Sequence, residues 1–397
     1  MAKKKKTIDP FENSGDQSSD IEGEINGAFD TFLSNSIKID VEDKDELILS
    51  TGIDLLDAIL GGGVATKFIQ FVGQSGGGKS ALVSKILASA QTKYGDDFIG
   101  IYADSEETMS VKRLEELGIK NIKPRTGITI EKLFRIIDGL CAFKEQKEMM
   151  HIPSIVIWDS IANTPTESSL GVLDPNSVMG QKARILSTIL PNVVQKLNKY
   201  NICLLAVNQM RDDIQIGPVK SPSDLRYLMQ GKKIPGGQAI LYNSFQMIYV
   251  RHSGDVEEFG FKGAKIQLKT IKNKLFTPNI GIELILDFSN GFSNFWTNYV
   301  LLKEHKRVNA GAWCSLIDMP ELKFRQSEVL NIYNSNKEFK NAFDAHVKDV
   351  LKTEYIEKYA AGLPAHQEES DDIEPDEKTI LSNEFEQFIS EDKETVQ

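Results

Sequence analysis

The chain has 397 residues, 57 acidic against 46 basic side chains for a formal net charge of −11, and an apolar fraction of 41%. It is long enough for one large or two moderate cores. Three scattered cysteines (Cys141, Cys203, Cys314) and five isolated histidines exclude a disulfide framework and a His/Cys metal centre, and suit a reducing, cytoplasmic setting. No apolar run approaches the roughly 20 residues that cross a bilayer, so no membrane partner is expected.

Residues 1–45 read as a polar tail followed by one helix. Lys3 to Lys6 precede Thr7-Ile8-Asp9-Pro10 rather than an apolar stretch, so a signal peptide is not expected. Ile25, Phe29, Phe32 and Leu33 recur at helical spacing, giving a helix that packs on its own core or docks on a neighbouring subunit. Residues 68–72 form an apolar strand, and Leu82, Ile86 and Ala90 mark a helix at i, i+4, i+8. Between them stands Gly73-Gln74-Ser75-Gly76-Gly77-Gly78-Lys79-Ser80. Such a loop lets backbone N–H groups close around phosphate oxygens with no Cβ in the way, and the helix N-terminus adds positive potential. Lys79 is expected on the β- and γ-phosphates and the Ser80 hydroxyl on Mg²⁺, so the chain is expected to bind a nucleoside triphosphate.

Residues 99–103, 155–158 and 202–207 are unbroken apolar strands, the pattern of a parallel sheet covered on both faces. Helices are expected near 107–117, 130–148 and 178–200, with Pro191 kinking or splitting the last. Beyond 240, strands at 245–251, 265–271 and 282–288 read as an antiparallel extension. A smaller, mostly helical unit holding Trp296 and Trp313 follows. From Ala365 to Gln397, twelve acidic residues face only Lys378 and Lys393, so the tail carries nearly all the excess charge and reads as a disordered interaction segment. The expected divisions are 1–45, 46–293, 294–363 and 364–397, with an α/β core around a mostly parallel central sheet.

Chemistry in such a sheet gathers at strand carboxyl ends. Asp159 ends one strand and is expected to orient Mg²⁺ and its waters. In Asp104-Ser105-Glu106, Glu106 is the preferred group to polarise a water for attack on the γ-phosphate, with Asp104 and Glu107 as rivals. Asn208-Gln209 ends the next strand and leads into a long, weakly patterned stretch from Met210 to Pro235. It carries Arg211, Lys220, Arg226, Lys232 and Lys233 against Asp212, Asp213 and Asp224, and closes at Gly236 and Gly237. A loop of that length suits a segment laid along a phosphate backbone; the alternative is a merely solvated loop. Lys272 and Lys274, spaced i, i+2 at a strand end, should point the same way. They are either a surface face or a pair aimed at a neighbour's γ-phosphate.

An ordered set of motifs carries a resemblance. It comprises Ser50-Thr51-Gly52-Ile53-Asp54-Leu55-Leu56-Asp57 with Gly61-Gly62-Gly63, the phosphate loop, Asp104-Ser105-Glu106 and Trp158-Asp159-Ser160. It continues through Met179-Gly180-Gln181-Lys182-Ala183-Arg184, Val207-Asn208-Gln209-Met210-Arg211, Gly236-Gly237-Gln238-Ala239 and Lys272-Asn273-Lys274 with Pro278. Over about residues 51–292 the chain resembles the RecA-type recombinases, most closely the bacteriophage branch known as UvsX. The resemblance implies a RecA-like ATPase fold using ATP and Mg²⁺, and a protein that forms ATP-driven helical filaments on single-stranded DNA. Such filaments pair that strand with homologous double-stranded DNA and exchange strands in recombination and repair. It implies Glu106 as the catalytic glutamate, Gln209 as γ-phosphate sensor, and Lys272 and Lys274 completing a neighbour's site. Residues 164–178 and 210–237 would be DNA-binding loops, and the acidic tail would meet mediator and single-strand-binding proteins. Two departures stand out: the phosphate loop is unusually rich in glycine, and Arg113 occupies the place expected for an adenine-stacking aromatic. A RecA-like replicative helicase and a weakly hydrolysing recombination mediator are the alternative functions.

Overall fold

The computed structural model describes residues 46–172, 180–212, 232–257 and 259–360. They are organised by one eight-stranded sheet: β1 (Phe68–Gly73), β2 (Ile99–Asp104), β3 (Ser154–Asp159), β4 (Ile202–Gln209), β5 (Gln246–Val256), β6 (Gly263–Asn273), β7 (Gly281–Asp287) and β8 (Gly291–Phe292). The order across the sheet is β8-β7-β6-β5-β1-β4-β3-β2. Strands β2, β3, β4, β1 and β5 run parallel, and β6, β7 and β8 add antiparallel hairpins. The antiparallel extension therefore begins one strand later than the sequence suggests, because β5 pairs in parallel with β1 before the chain first doubles back.

Alternation along the buried strands splits the interior into two cores. Ile69 and Phe71 of β1, Ile155 and Ile157 of β3, and Cys203 and Leu205 of β4 face one side. There they meet Leu82, Val83, Ile86 and Leu87 of α2 (Lys79–Tyr94). Phe68, Val156, Trp158, Leu204 and Ala206 face the other side, against α4 (Ile130–Gln146) and α5 (Gln181–Lys199). Every residue of β1 and β3 is buried, which explains why these strands read as unbroken apolar runs.

Two helices differ from expectation. The first is α3, which spans only Val111–Glu116, capped by the Ser110 side chain. Residues before it are held in a turn by Asp104, whose carboxylate accepts the backbone N–H of Glu106 (3.1 Å) and of Met109 (2.8 Å), a local alternative to helix. The second is α5, which runs through Pro191 as one helix of 19 residues. Pro191 costs about 3 kcal/mol in a helix interior. Burial of Leu186, Leu190, Val193 and Leu197 offsets it, at roughly 1.5–3 kcal/mol for each full burial.

The core on the α2 side also takes in α1 (Asp54–Leu60) and α7 (Asn294–Glu304), α8 (Val329–Ser335) and α9 (Lys337–Val350). Trp296 stacks on Phe259 with ring centroids 4.6 Å apart. Trp313 instead is 55% exposed, beneath the Arg325 guanidinium. Among the described residues no helix is long and apolar enough to cross a membrane. The lysine run at 3–6, the helix at 25–33 and the acidic tail lie outside the described residues.

Lys144 of α4 is fully buried and donates to the carbonyls of Ile152 (2.6 Å) and Tyr200 (2.5 Å), joining α4 to the ends of two neighbouring segments. Lys144→Met keeps the apolar stem but leaves both carbonyls short of a donor. It should lower stability by about 2 kcal/mol, read as a fall in urea midpoint at unchanged m-value. An unchanged midpoint would remove this role.

Candidate nucleotide site

The site is built where β1 passes into α2. A Cβ on Gly73 would lie 2.0 Å from the Val250 carbonyl oxygen of β5, so only glycine lets these strands approach as the loop begins. The loop, with Glu106, Asp159 and Gln209, lines a cavity of about 260 Å³. These side chains come from the carboxyl ends of β2, β3 and β4, which the parallel register sets side by side: Asp104 opposite Asp159, and Asp159 opposite Val207.

Lys79 is 5% exposed and donates to the Gln74 carbonyl. Burial pulls its pKa down to about 8, against the opposing pull of the Asp159 and Glu106 carboxylates. Asp159 is raised above the usual carboxylate range by burial, even though the Ser80 and Tyr102 hydroxyls donate to it, and Glu106 and Asp104 push the same way. The Tyr102 contact is 3.0 Å. A buried carboxylate beside the Ser80 hydroxyl supplies hard oxygen donors of the kind that would suit Mg²⁺ arriving with phosphates.

The three candidate acids are placed differently. Asp104 is spent on backbone N–H groups, and Glu107 (φ +55°) turns to the Gly127 N–H at 3.3 Å. Glu106 faces the cavity. Its Oε1 accepts from the Ser160 hydroxyl (2.6 Å), the Asn163 amide (2.7 Å) and the Gln209 amide (3.0 Å). Asn163 was not marked by any sequence motif, and neither was the Tyr102 phenol.

Adjacent to Gln209, Asn208 points to the opposite face and donates to the Pro235 carbonyl at 2.9 Å. Arg211 pairs with Lys233 and Asp212 with Lys232 in a short antiparallel ladder. The two ends of the basic stretch are thus brought together, while Lys220 and Arg226 lie outside the described residues. At its exit a Cβ on Gly236 would sit 1.9 Å from Ile240 Cδ1, and one on Gly237 would sit 2.9 Å from the Ala183 Cβ of α5. Positive φ at both (+108° and +76°), and the close approach of Gly237 to α5 just ahead of α6 (Gln238–Asn243), favour glycine there whatever the loop binds.

Lys272 and Lys274 are not brought to this cavity. Antiparallel pairing sets Lys272 opposite Met247 and Asn273 opposite Gln246, and Gln246 pairs with Ile69, at the edge of the sheet away from the phosphate loop. Lys272 Nζ donates to the Leu241 and Tyr242 carbonyls (3.0 and 3.1 Å) at the end of α6. Its pKa is lowered by burial and by the charge of Lys274. A bulge precedes Lys272, and β6 ends at Asn273, so Lys274 lies just beyond the strand. Arg113 ties α3 to the Phe288 and Ser289 carbonyls at 3.1 and 3.3 Å.

The Lys79 shift has a testable sign. Its folded pKa lies below the unfolded value of 10.5, so the penalty for burying its charge is present below about 8 and is relieved as pH rises toward 10.5. Phosphate oxygens favour the charged form and act in the opposite sense. Nucleotide binding above about pH 8 should therefore take up a proton and weaken as pH rises. Calorimetry at alkaline pH in two buffers of different ionisation enthalpy measures that uptake; identical heats would contradict it.

Residues 30–293 match the family model for the RecA N-terminal domain, more than half of the chain. Curated relatives extend the likeness beyond that span. Protein RecA of Wolbachia sp. subsp. Brugia malayi is 25% identical over 354 residues, covering 86% of this chain and 93% of that protein. Protein RecA of Cytophaga hutchinsonii is 24% identical over 343 residues, covering 85% and 87%. Protein RecA of Borreliella burgdorferi is 25% identical over 315 residues, covering 76% and 80%. With the family model matched over more than half of its length, the chain belongs to the RecA family.

Proposed function

We propose that this protein is a DNA-dependent ATPase of the UvsX-like bacteriophage branch, acting as a strand-exchange recombinase on ATP-driven filaments. As a RecA-family member it is an ATP-dependent recombinase of recombination and repair, working on DNA as a homo-oligomeric filament. The observation that supports the ATPase part of that reading is the convergence of Lys79, Asp159, Gln209 and Glu106 on one cavity, with Lys272 at the opposite edge of the sheet.

In that reading the loop N–H groups and Lys79 hold the β- and γ-phosphates, and Ser80 and Asp159 hold Mg²⁺, which supplies positive charge against the phosphate oxygens. Glu106 accepts a proton from the attacking water, and Gln209 follows the γ-phosphate from the third side. A lysine that cannot reach its own cavity, yet sits at the other edge of the sheet, suits a head-to-tail contact in which each copy completes the next one's site. The stretch 210–237 continues directly from Gln209, which supports its assignment with 164–178 to DNA. Mediator and single-strand-binding proteins are assigned to the acidic tail, and the cytoplasm to the protein as a whole. The intact set of Lys79, Glu106 and Asp159 speaks against a mediator that scarcely hydrolyses ATP. It also means that Lys79→Ala should cost about 100-fold or more in turnover.

Shared sites have a statistical signature. Lys272→Ala and Glu106→Ala proteins should each be inactive alone, but an equal mixture on single-stranded DNA should recover about a quarter of wild-type turnover, since each heterologous contact draws its two halves at random. A mixture as dead as its components would argue against completion in trans.

The tail generates a separate expectation. Truncation after Pro364 removes most of the negative charge and should tighten DNA binding at low salt, with the gain fading as salt rises. Unchanged affinity at low salt would sink the competition between tail and phosphates.

A further inference from the structure

A second cavity, of about 700 Å³, opens where α1 meets α8, α9 and the turn after β6. It shares no lining residue with the nucleotide cavity. Its walls are apolar: Ala58 of α1, Leu275 and Phe276 beyond β6, Val347 of α9, then Leu351 and Ile356. The last two belong to a π-helical stretch, Leu351–Glu357, that continues α9. Such wide turns are rare and recur at functional sites. The volume and the apolar lining are those of a cleft that takes a small organic group.

The polar groups in this cavity are mostly of one sign. Asp54, Asp57 and Asp344 line it against Lys348, the only basic lining side chain among the described residues. Asp57 is taken up by the Ser50 hydroxyl (2.5 Å) and by the Thr51 N–H and hydroxyl (2.8 and 2.6 Å). Asp54 and Asp344 are each bonded through one side-chain oxygen alone among the described residues. Asp54 Oδ2 accepts the Asn294 and Asn298 amides (2.9 and 2.8 Å), and Asp344 Oδ1 accepts the Tyr333 hydroxyl (2.8 Å). Asn298, bonded to Asp54 and only 5% exposed, has no donor for its own Oδ1. Burial, the bond to Asp344 and the charges of Asp344 and Asp54 push the Tyr333 phenol up to about 12, so both carboxylates bear on one place. Lys85 feels Asp54 from outside the cavity, and burial lowers its own pKa.

A bare metal ion does not meet this arrangement: among the described residues no three acids are grouped to hold one. Open acceptors beside an apolar wall call for several N–H donors on a hydrocarbon body. An ammonium has three donors and no acceptor, and a hydrocarbon stem can lie along the wall while the charged head reaches the acids.

We propose that this cavity is a binding site for a primary ammonium carried on an apolar stem, with Asp54 and Asp344 receiving the charge and Phe276, Val347, Leu351 and Ile356 the stem. A free amine and a lysine side chain of a partner protein present the same chemistry. Either one bridges α1 to α8 and α9.

The test titrates hexylammonium into the full-length protein, observed by ligand NMR, beside hexanol as its neutral counterpart. Hexylammonium should bind about tenfold more tightly than hexanol or better, the scale of one charge-assisted hydrogen bond. Asp344→Asn should weaken it by about tenfold on the same grounds. Ile356→Lys puts a like charge at the exposed rim and should abolish binding; if Asp344→Asn lowers the urea midpoint, this rim variant alone decides. A short helical peptide of leucine and lysine separates the sources. Tighter binding of the peptide assigns the ammonium to a partner's lysine, and tighter binding of hexylammonium assigns it to a free amine. Hexylammonium no tighter than hexanol would overturn the proposal. So would binding that survives Ile356→Lys, which is what attraction to the acidic tail alone would give.

Discussion

One carboxylate oxygen receiving donors from the ends of two different strands is the interaction on which the site depends. Glu106 follows β2, Ser160 and Asn163 follow β3, and Gln209 ends β4. Only parallel neighbours in matched register deliver three such ends to the same place. The pairing of Asp104 with Asp159 and of Asp159 with Val207 does so. A register slip of a single residue would turn these side chains to the opposite face of the sheet and dissolve the site, because side chains alternate along a strand. The buried apolar residues on both faces therefore do more than stabilise: they hold the register that the chemistry needs.

Electrostatics at the cavity follow from that geometry. Burial drives Lys79 down and Asp159 up, toward their neutral forms; the Asp159 and Glu106 carboxylates only partly restore Lys79, and the Ser80 and Tyr102 hydroxyls only partly restore Asp159. Such a site is poorly satisfied by itself. In the proposed reading, triphosphate and a divalent cation would supply the missing charges of both signs. Asn208 and Gln209, adjacent but facing opposite ways, place the base of the basic stretch one peptide away from this balance.

The two ends of the sheet have different jobs. Phosphate chemistry gathers at the carboxyl ends of the parallel strands, as the alternation of strand and helix dictates. The lysines of β6 and its turn lie at the other end, because an antiparallel strand beside β5 must finish where β5 starts. The proposed head-to-tail contact would set one copy's end against the next copy's opposite end, an unclosed heterologous contact of the kind that builds a filament.

The phosphate loop, the parallel character of β1 to β4 and the acids at their ends were all readable from residue order, because each depends on chemistry local to a few consecutive residues. Glycine, lysine and serine at fixed spacing mean the same thing wherever the strand and helix around them are secure. What the linear order could not decide was which of Asp104, Glu106 and Glu107 faces the cavity. That choice depends on a turn in which Asp104 is consumed by backbone N–H groups. It could not show that α5 survives Pro191, since the compensation comes from apolar partners far away in the chain. It gave no sign of Asn163 or Tyr102, whose meaning arises only from the side chains folding sets beside them. Nor could it place Lys272, whose position relative to the phosphate loop depends on strand direction, a property of the assembled sheet. Local covalent order determined which chemistry the chain carries; packing across the sheet decided which copies of each residue type are in reach of it.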